Sequence, residues 1–318
     1  MRVGLPMRPS HLNIYAFDEG DSWTIVDTGM NVKSVRAEWQ ALLVGPLAAK
    51  PVGRVILTHY HPDHVGLVGW FQKEHGAELW CTQATWLFAR MLTLDVQTEY
   101  TKETIAFWKA AGMDEDILAE RQSSKPFCFA DVVYPMPLGY RRIYDSETVS
   151  IGDKQWTVRM GQGHAPDQAT FWGVDHDLVL AADQVLPRIT PNLGVYATEP
   201  EADSVGAWIK SCKHLREFAR ANQLALPGHQ MPFTGLDARL DQLVVIQTDA
   251  LEELLEYLAE PRRASDCFDV LYGRRIGKSE YGLALVEAVG HLNHLHQTGR
   301  VTRSKNEDGA WLWKAVGD

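Results

Sequence analysis

The sequence predicts a layered α/β fold followed by a smaller helical region. Up to about residue 81, short strand-like apolar runs alternate with helical stretches, as in layered α/β domains. Residues that can bind a metal directly follow several of the apolar runs along the chain. Beyond residue 240, apolar residues recur at three- and four-residue steps, and a hairpin pattern comes last. These three observations indicate a catalytic α/β domain with a helical C-terminal addition.

Composition is that of an ordinary enzyme. At 318 residues with 45% apolar side chains, the chain can fill a sizeable core and form two domains. The net charge of −10 argues against a protein that mainly binds nucleic acid. The four cysteines are scattered without a C-x-x-C pair, so we expect buried free thiols. Residues 1–10 lack the apolar core of a signal peptide, and no stretch reaches membrane-spanning length, so we expect a cytoplasmic protein.

A histidine-rich loop follows the apolar run Val55-Ile56-Leu57. The loop reads Thr58-His59-Tyr60-His61-Pro62-Asp63-His64. In an extended segment alternate side chains point the same way, so His59 and His61 can reach one ion together. The proline turns the chain, so that Asp63 and His64 can face a second ion. Imidazole and carboxylate are ligands for zinc and similar first-row metals, so this loop is predicted to bind metal.

Three further candidate ligands also follow strand-like runs. His164 comes after residues 156–160, Asp183 after residues 178–182 and His229 after residues 224–227. Both histidines are preceded by a glycine. Loops at strand ends are where a rigid scaffold usually presents its chemistry. The repetition of this pattern predicts that these side chains join the histidine-rich loop in one site.

Together these motifs resemble the metallo-beta-lactamase superfamily of hydrolases. The matching pieces run in the family's order over roughly the first three-quarters of the chain: Ile25-Val26-Asp27-Thr28-Gly29, the residue 58–64 loop, Gly163-His164, Asp183 and Gly228-His229. The resemblance implies an αββα sandwich with the site along one edge of its two sheets. One departure is Gln168, where several relatives carry a histidine. The proposed ligands are intact without it, but the subfamily stays open.

The resemblance also implies how the ligands divide between two divalent metal ions. His59, His61 and His164 would hold one ion. Asp63, His64 and His229 would hold the second, with Asp183 bridging the two. Asp27 would support a ligating histidine from behind. Zinc is the expected metal, with iron and manganese as alternatives.

We expect two domains. Residues 1–245 would form the catalytic domain, with a helical, aromatic-rich insert at about 82–150. Residues 246–318 would form a helical linker and a small winged-helix domain, which resembles the C-terminal domain of beta-lactamase-like hydrolases and endoribonucleases. Residues 261–318 carry nine Lys/Arg against seven Asp/Glu, which is weak for a phosphate-binding face, so nucleic acid is not an expected partner. The histidines at 291, 294 and 296 are interpreted as a solvated helix face without an acidic partner nearby.

The predicted function is binuclear metal-dependent hydrolysis. A hydroxide held between two metals would attack the carbonyl of a small or medium ester, thioester or lactone, since metals generate hydroxide near neutral pH. Asp63 would orient it and shuttle a proton as the catalytic residue. One alternative is a metal-dependent endoribonuclease or phosphodiesterase. A second is a non-catalytic binding module on a hydrolase fold, which the intact ligand set disfavours. A homo-oligomer is left open.

Overall fold

The computed structural model describes residues 1–317. In chain order its strands are β1 (Arg2–Gly4), β2 (His11–Asn13), β3 (Tyr15–Asp18), β4 (Trp23–Val26), β5 (Val52–Ile56), β6 (Glu78–Cys81), β7 (Arg141–Arg142), β8 (Thr148–Ile151), β9 (Lys154–Gly161), β10 (Gln168–Gly173), β11 (Leu178–Ala182), β12 (Leu224–Pro227), β13 (Val301–Lys305) and β14 (Trp311–Ala315). Its helices are α1 (Lys33–Val44), α2 (Pro62–Val65), α3 (Val68–His75), α4 (Gln83–Leu94), α5 (Lys102–Ala110), α6 (Glu115–Gln122), α7 (Ser204–Arg216), α8 (Leu236–Tyr257), α9 (Phe268–Tyr272) and α10 (Tyr281–Gln297). Short 3-10 turns lie at Phe129–Asp131 and Ala264–Cys267.

The chain divides into two compact units. The first comprises residues 1–96, 127–191 and 215–240, and the second comprises residues 97–126, 192–214 and 241–318. The second unit therefore takes two segments from the first two-thirds of the chain, as well as the C-terminal part. All seven candidate metal ligands belong to the first unit.

Two five-stranded sheets form the first unit. The first sheet has the order β3-β4-β5-β6-β7 and the second has the order β12-β11-β10-β9-β8. Strands β4 to β7 pair in parallel, whereas β8 to β11 are antiparallel and β12 joins β11 in parallel. Parallel strands place their carboxyl ends at one edge, so the loops after β4 and β5 emerge together.

A shared apolar core joins the two sheets face to face. Val26 and Ile56 of the first sheet pack in one cluster with Trp156, Phe171 and Leu180 of the second. A second cluster carries helices α1 and α3 on the first sheet, where the ring of Trp39 meets that of Phe71 edge-on at 4.7 Å. The two-sheet sandwich with helices that the sequence predicted is confirmed.

A tight turn after β4 holds the end of α2. Asp27 has φ 61° and Gly29 has φ 83°, both in the left-handed region. The Thr28 amide and hydroxyl both donate to the carbonyl of His64 at 2.8 Å, and the Leu67 amide donates to that hydroxyl. A Cβ at Gly66 would overlap the carbonyl oxygen of Gly29, so only glycine fits there. The turn therefore clamps the loop that carries the candidate ligands.

Most of the predicted elements of the first unit are confirmed. The run at residues 178–182 is β11, the run at 224–227 is β12, and the helix expected at 32–43 is α1. In the region expected to form the insert, α4, α5 and α6 are helical, and of these α5 and α6 belong to the second unit. The same region also holds β7 and β8, which the sequence pattern did not predict. Each of these two strands extends one of the two sheets.

The second unit ends as helices followed by an antiparallel hairpin, in which Val301 pairs with Ala315. This order was predicted, and the winged-helix interpretation of it stays a prediction. The expected solvated histidine face is wrong for His291, whose side chain is 4% exposed. Its ring contacts the carbonyl of Glu287 and the side-chain oxygen of Gln247.

An acidic partner also lies near this histidine cluster, against the prediction. The ring of His294 is 3.0 Å from a carboxylate oxygen of Asp203. That residue is about 90 positions away in the chain, so the local sequence does not show it. Helix α10 buries most of its length, and its histidines serve the packing of the second unit.

All four cysteines are buried, and none forms a disulfide within the described residues 1–317, as predicted. Within residues 1–317, no helix has the length and apolar character needed to cross a lipid bilayer.

Candidate metal centre

The histidine-rich loop leaves the end of β5 and is held by both sheets. The Thr58 amide donates to Asp27 Oδ1 at 2.9 Å, and the Thr58 hydroxyl donates to Asp27 Oδ2 at 2.8 Å. The Thr58 carbonyl accepts from the amide of Ala169 in β10 at 2.8 Å. Helix α2 then starts at Pro62, whose ring suits the first helical position. The loop is thus fixed before its ligand side chains begin.

One group of ligand atoms comes from three histidines. His61 Nδ1 lies 3.0 Å from His59 Nε2 and 3.0 Å from His164 Nε2. Three imidazole nitrogens around a tetrahedral zinc at ~2.05 Å would be about 3.3 Å apart, which is close to this spacing. The loop before β10 supplies His164, so this group joins the ends of both sheets.

A second group combines a carboxylate with two histidines. Asp63 Oδ2 lies 3.5 Å from His64 Nε2 and 3.4 Å from His229 Nε2. His229 follows β12, whereas the other two residues lie on α2. Histidine and carboxylate atoms within 4.8 Å of one another could hold a second ion.

Asp183 lies between the two groups. Its Oδ2 is 3.1 Å from His229 Nε2, 3.4 Å from His64 Nε2 and 3.7 Å from His164 Nε2. The residue follows β11, and a Cβ at position 228 would overlap its other oxygen. Glycine at 228 therefore leaves room for the central carboxylate.

Hydrogen bonds behind the rings set which nitrogen faces the site. His64 Nδ1 is 2.8 Å from Asp27 Oδ2, and His229 Nδ1 is 2.7 Å from the carbonyl of His11. Carboxylate and carbonyl oxygens only accept, so each Nδ1 carries the proton. The Thr58 hydroxyl, which donates to Asp27, accepts from His59 Nδ1 at 3.0 Å. All three rings therefore turn Nε2 toward the site, as metal-binding histidines with such partners do.

The residues present fit a metal centre. Among residues 1–317, His64 Nε2 and Asp183 Oδ1 have no hydrogen-bond partner although both are buried, and burying such groups is costly unless another partner compensates. The donor set contains imidazole nitrogens and carboxylate oxygens, the ligands of zinc and of other first-row metals.

A family model shows the ancestry of this arrangement. The model described as the metallo-beta-lactamase superfamily matches residues 7–259. The chain belongs to the metallo-beta-lactamase superfamily. A second model, described as the metallo-beta-lactamase-like C-terminal domain, matches residues 251–316. The protein is accordingly an enzyme, a metallo-hydrolase of this superfamily.

Individual relatives extend over nearly the whole chain. It is 24% identical over 312 residues to a protein of Bacillus subtilis (strain 168) named "Probable metallo-hydrolase YqjP", covering 95% of this chain and 93% of that one. A beta-lactamase domain protein from Burkholderia ambifaria has a similar structure, with a TM-score of 0.90, 29% identity and coverage of 99% and 91%. A metallo-beta-lactamase family protein from Thermus thermophilus has a TM-score of 0.82, 24% identity and coverage of 99% and 97%.

The two halves of the superfamily site differ in their electrostatics. Burial and neighbouring imidazoles lower the pKa of His59 well below its usual range and that of His61 to about 3. Burial opposes charge on His229 too, but the carboxylates of Asp183 and Asp63 raise its pKa to about 10. Burial would raise the pKa of Asp63, whereas His64 and His229 lower it to about 2. The carboxylate half therefore attracts positive charge, and the three-histidine half stays neutral.

All seven predicted site residues come together, and the structure adds three residues around them. His11, weighed from the sequence as a neighbour of the cleft, contacts His229 through its carbonyl and receives the Gln230 amide on its ring at 3.0 Å. Thr58 connects Asp27 with His59, a role that sequence reasoning missed. The hydroxyl residue directly before the first histidine was the available signal. Tyr60 was also missed as part of the surroundings.

Proposed function

We propose that the protein is a binuclear metal-dependent hydrolase that breaks the acyl C–O or C–S bond of a small or medium ester, thioester or lactone by attack on its carbonyl carbon. The observation that carries the binuclear proposal is the position of Asp183. Its Oδ2 lies within 3.7 Å of histidine nitrogens from both ligand groups. A carboxylate in that position is suited to bridge two cations.

The ligands would divide as the superfamily resemblance implies. The first ion would be held by His59, His61 and His164, and the second by Asp63, His64 and His229. The Asp183 carboxylate would serve both. Zinc is the proposed metal, with iron and manganese as alternatives. Divalent metals bound there would lower the pKa of water and polarise the carbonyl oxygen of the substrate.

Asp63 is the residue of this chain that we propose to handle the proton. Its side chain is 19% exposed, whereas those of His64, Asp183 and His229 are 7% exposed or less. The carboxylate therefore lies at the open side of the site, where a substrate arrives. A carboxylate so placed can accept a proton from the attacking water and return it to the leaving group, a role worth about 10²–10⁴ in rate.

The chemistry of the protein surface favours a carbonyl substrate over RNA. A nuclease must hold several phosphates, and the chain has a net charge of −10. Two arginines that could have met an anionic group are engaged elsewhere. The guanidinium of Arg141 pairs with Glu147 and lies over the ring of Trp80, and that of Arg142 lies over Tyr144.

Elemental analysis tests the metal proposal. Purified protein, loaded with zinc and desalted, should hold two ions per chain. Asp183→Ala should lower the occupancy of both sites together, because one carboxylate serves both. Asp175→Ala, on an exposed turn of the same unit, is the matched control and should retain two ions. One tightly held ion in the wild type, unaffected by Asp183→Ala, would contradict a binuclear centre.

A substrate panel tests the reaction. The metal-loaded protein should hydrolyse at least one aryl ester, thioester or lactone with mild salt dependence, and should leave single-stranded RNA intact. Beta-lactams belong in the same panel as a further carbonyl class. Efficient RNA cleavage that collapses between low and moderate salt, with carbonyl substrates untouched, would reverse the assignment.

A further inference from the structure

An apolar surface in the first unit is continuous with the candidate metal centre. We call it the apolar patch and define it by six side chains: Tyr60, Leu87, Phe88, Met91, Phe127 and Phe129. Four of these side chains are aromatic rings, and the other two are Leu87 and Met91 of helix α4. No step of the proposed reaction uses these side chains.

Ring contacts lead from the metal ligands into the apolar patch. The ring of Tyr60 meets that of His61 at 4.6 Å between centroids. The ring of Tyr60 also stacks on the rings of Phe88 and Phe129, with centroid distances of 5.1 Å and 6.3 Å. Phe127 then meets Phe129 edge-on at 6.1 Å. The chain of contacts therefore starts at a candidate ligand and ends at a ring on the surface.

The outer part of the apolar patch is open to solvent. Phe127 is 60% exposed, Leu87 is 49% exposed and Met91 is 48% exposed. Met91 is a helical neighbour of both Leu87, four residues earlier, and Phe88, three residues earlier, on α4. Side chains of this size are usually buried, and a contiguous exposed group of them commonly marks a binding surface.

The metal centre is partly accessible beside the apolar patch. His59 and His64 are fully buried, whereas His61, Asp63 and His164 are partly exposed. His61 is therefore both a partly exposed ligand and the ligand in ring contact with Tyr60. A molecule whose reactive group sits at the centre can extend its remaining atoms past this ligand, over the stacked rings.

We infer that the apolar patch binds the apolar group of the substrate, a medium-length acyl chain or an aromatic ring attached to the reacting carbonyl. This inference rests on the proposed carbonyl hydrolysis and adds its substrate class. Apolar walls that leave orientation to a few polar groups are typical of ligand sites. Aromatic rings favour contact with other rings and with aliphatic chains, and the thioether of Met91 adapts its shape to either.

A chain-length series tests the inference. The substrates are 4-nitrophenyl acetate, butyrate, hexanoate and octanoate, with the zinc-loaded full-length protein. Burial of one methylene changes an equilibrium about fourfold, and a half-open surface gives less. We therefore expect kcat/KM to rise about twofold to fourfold per added methylene up to the hexanoate or octanoate.

Variants of exposed patch residues test whether the apolar patch causes the dependence of kcat/KM on chain length. Phe127→Ser and Met91→Ser change exposed side chains and should lower the octanoate-to-acetate ratio of kcat/KM at least fivefold. Val44→Ser is the matched control, because Val44 is an 81% exposed apolar residue on α1. It should leave both the ratio and the rates as in the wild type.

A binding measurement separates this inference from the proposed function. Calorimetric titration with octanoate and butyrate needs no turnover, and the preference for octanoate should fall in Phe127→Ser. Patch-dependent octanoate binding without any ester hydrolysis would support the apolar patch while removing the carbonyl reaction. Hydrolysis with a flat chain-length profile, unchanged in both variants, would overturn the inference and leave the reaction standing. A dimer that Phe127→Ser dissociates, with the chain-length profile intact, would assign the surface to a second copy and also overturn it.

Discussion

Replacing Asp27 by asparagine should impair the second of the two proposed metal sites through a hydrogen-bond conflict. Asp27 is a pure acceptor for three donors: the Thr58 amide, the Thr58 hydroxyl and His64 Nδ1. Asparagine keeps the size of the side chain and tolerates the positive φ of this position. It has one accepting oxygen, however, and its amide nitrogen donates. Oδ2 now serves two of the donors, so at least one former donor must lose its partner.

The fixed position of the backbone decides which donor loses its hydrogen-bond acceptor. The Thr58 amide cannot move, so the asparagine oxygen should face it. The amide nitrogen would then take the place of Oδ2 and face both the Thr58 hydroxyl and His64 Nδ1. The hydroxyl can turn to accept, whereas His64 Nδ1 can relieve the conflict by moving its proton to Nε2. That is the nitrogen which faces the site, and a protonated nitrogen cannot bind a metal.

The magnitude follows from the cost of an unsatisfied buried donor. Leaving such a donor without a partner costs about 1–3 kcal/mol, which corresponds to roughly 5-fold to 150-fold in an equilibrium constant. Removing a residue that orients a ligating histidine typically weakens metal binding about 10-fold to 100-fold. We therefore expect Asp27→Asn to weaken one of the two sites by about 10-fold to 100-fold and to leave the three-histidine site close to normal.

Competition with a fluorescent zinc chelator measures both affinities, and elemental analysis checks the stoichiometry. Asp153→Asn is the control, because the Asp153 side chain is 85% exposed on a turn of the same unit. If Asp27→Asn binds two ions with wild-type affinities, the orienting role that we assign to Asp27 is wrong.

Three further predictions follow from the structure. Asp183→Ala should bring the protein below one bound ion per chain after dialysis, and retention of one tight ion would instead place the residue in a single site. Asp63→Asn should lower kcat at least about 100-fold, with part of the metal retained; near-normal turnover of a metal-loaded variant would remove its proton-transfer role. Burial raises the pKa of Glu287 to about 7 from 4.5, so the folded state keeps a proton that the unfolded state loses, and stability falls as pH rises from about 4.5 to above 7. Because this side chain is partly exposed, we expect it to contribute a loss of only about 1–3 kcal/mol. In denaturant titrations at pH 5 and pH 8, the change in unfolding free energy should be less favourable by this amount in the wild type than in Glu287→Gln, because the histidines that titrate in this range are common to both proteins.

The sequence predicted the site well because strand ends and ligand residues coincide in it. His164, Asp183 and His229 each follow an apolar run that forms a strand, and the geometry of a two-sheet sandwich brings such ends to one edge. The pattern of apolar residues is sufficient for this, since burial of both sheet faces determines where the strands run. The identity of the ligands is then visible in the sequence itself.

Contacts between distant segments were beyond sequence reasoning. Strand β7 has only two residues, Arg141–Arg142, and both are charged, so no apolar alternation marks it. His291 is polar, and its burial depends on Gln247, which lies on another helix. The role of the His11 carbonyl is independent of its side chain, because any residue at that position offers a backbone oxygen. In each case the deciding partner is remote in sequence.

The spread of the ligands along the chain sets the order in which the protein can mature. His59 and His229 are separated by more than half of the sequence, so a ribosome releases the first ligand long before the last. A nascent chain that exposes only the residue 58–64 loop offers an ion few ligands and no central carboxylate. Uptake of the proposed metal ions would then follow closure of the sandwich. The cellular metal pool at the moment of folding, rather than during synthesis, would select the ion that the mature enzyme carries.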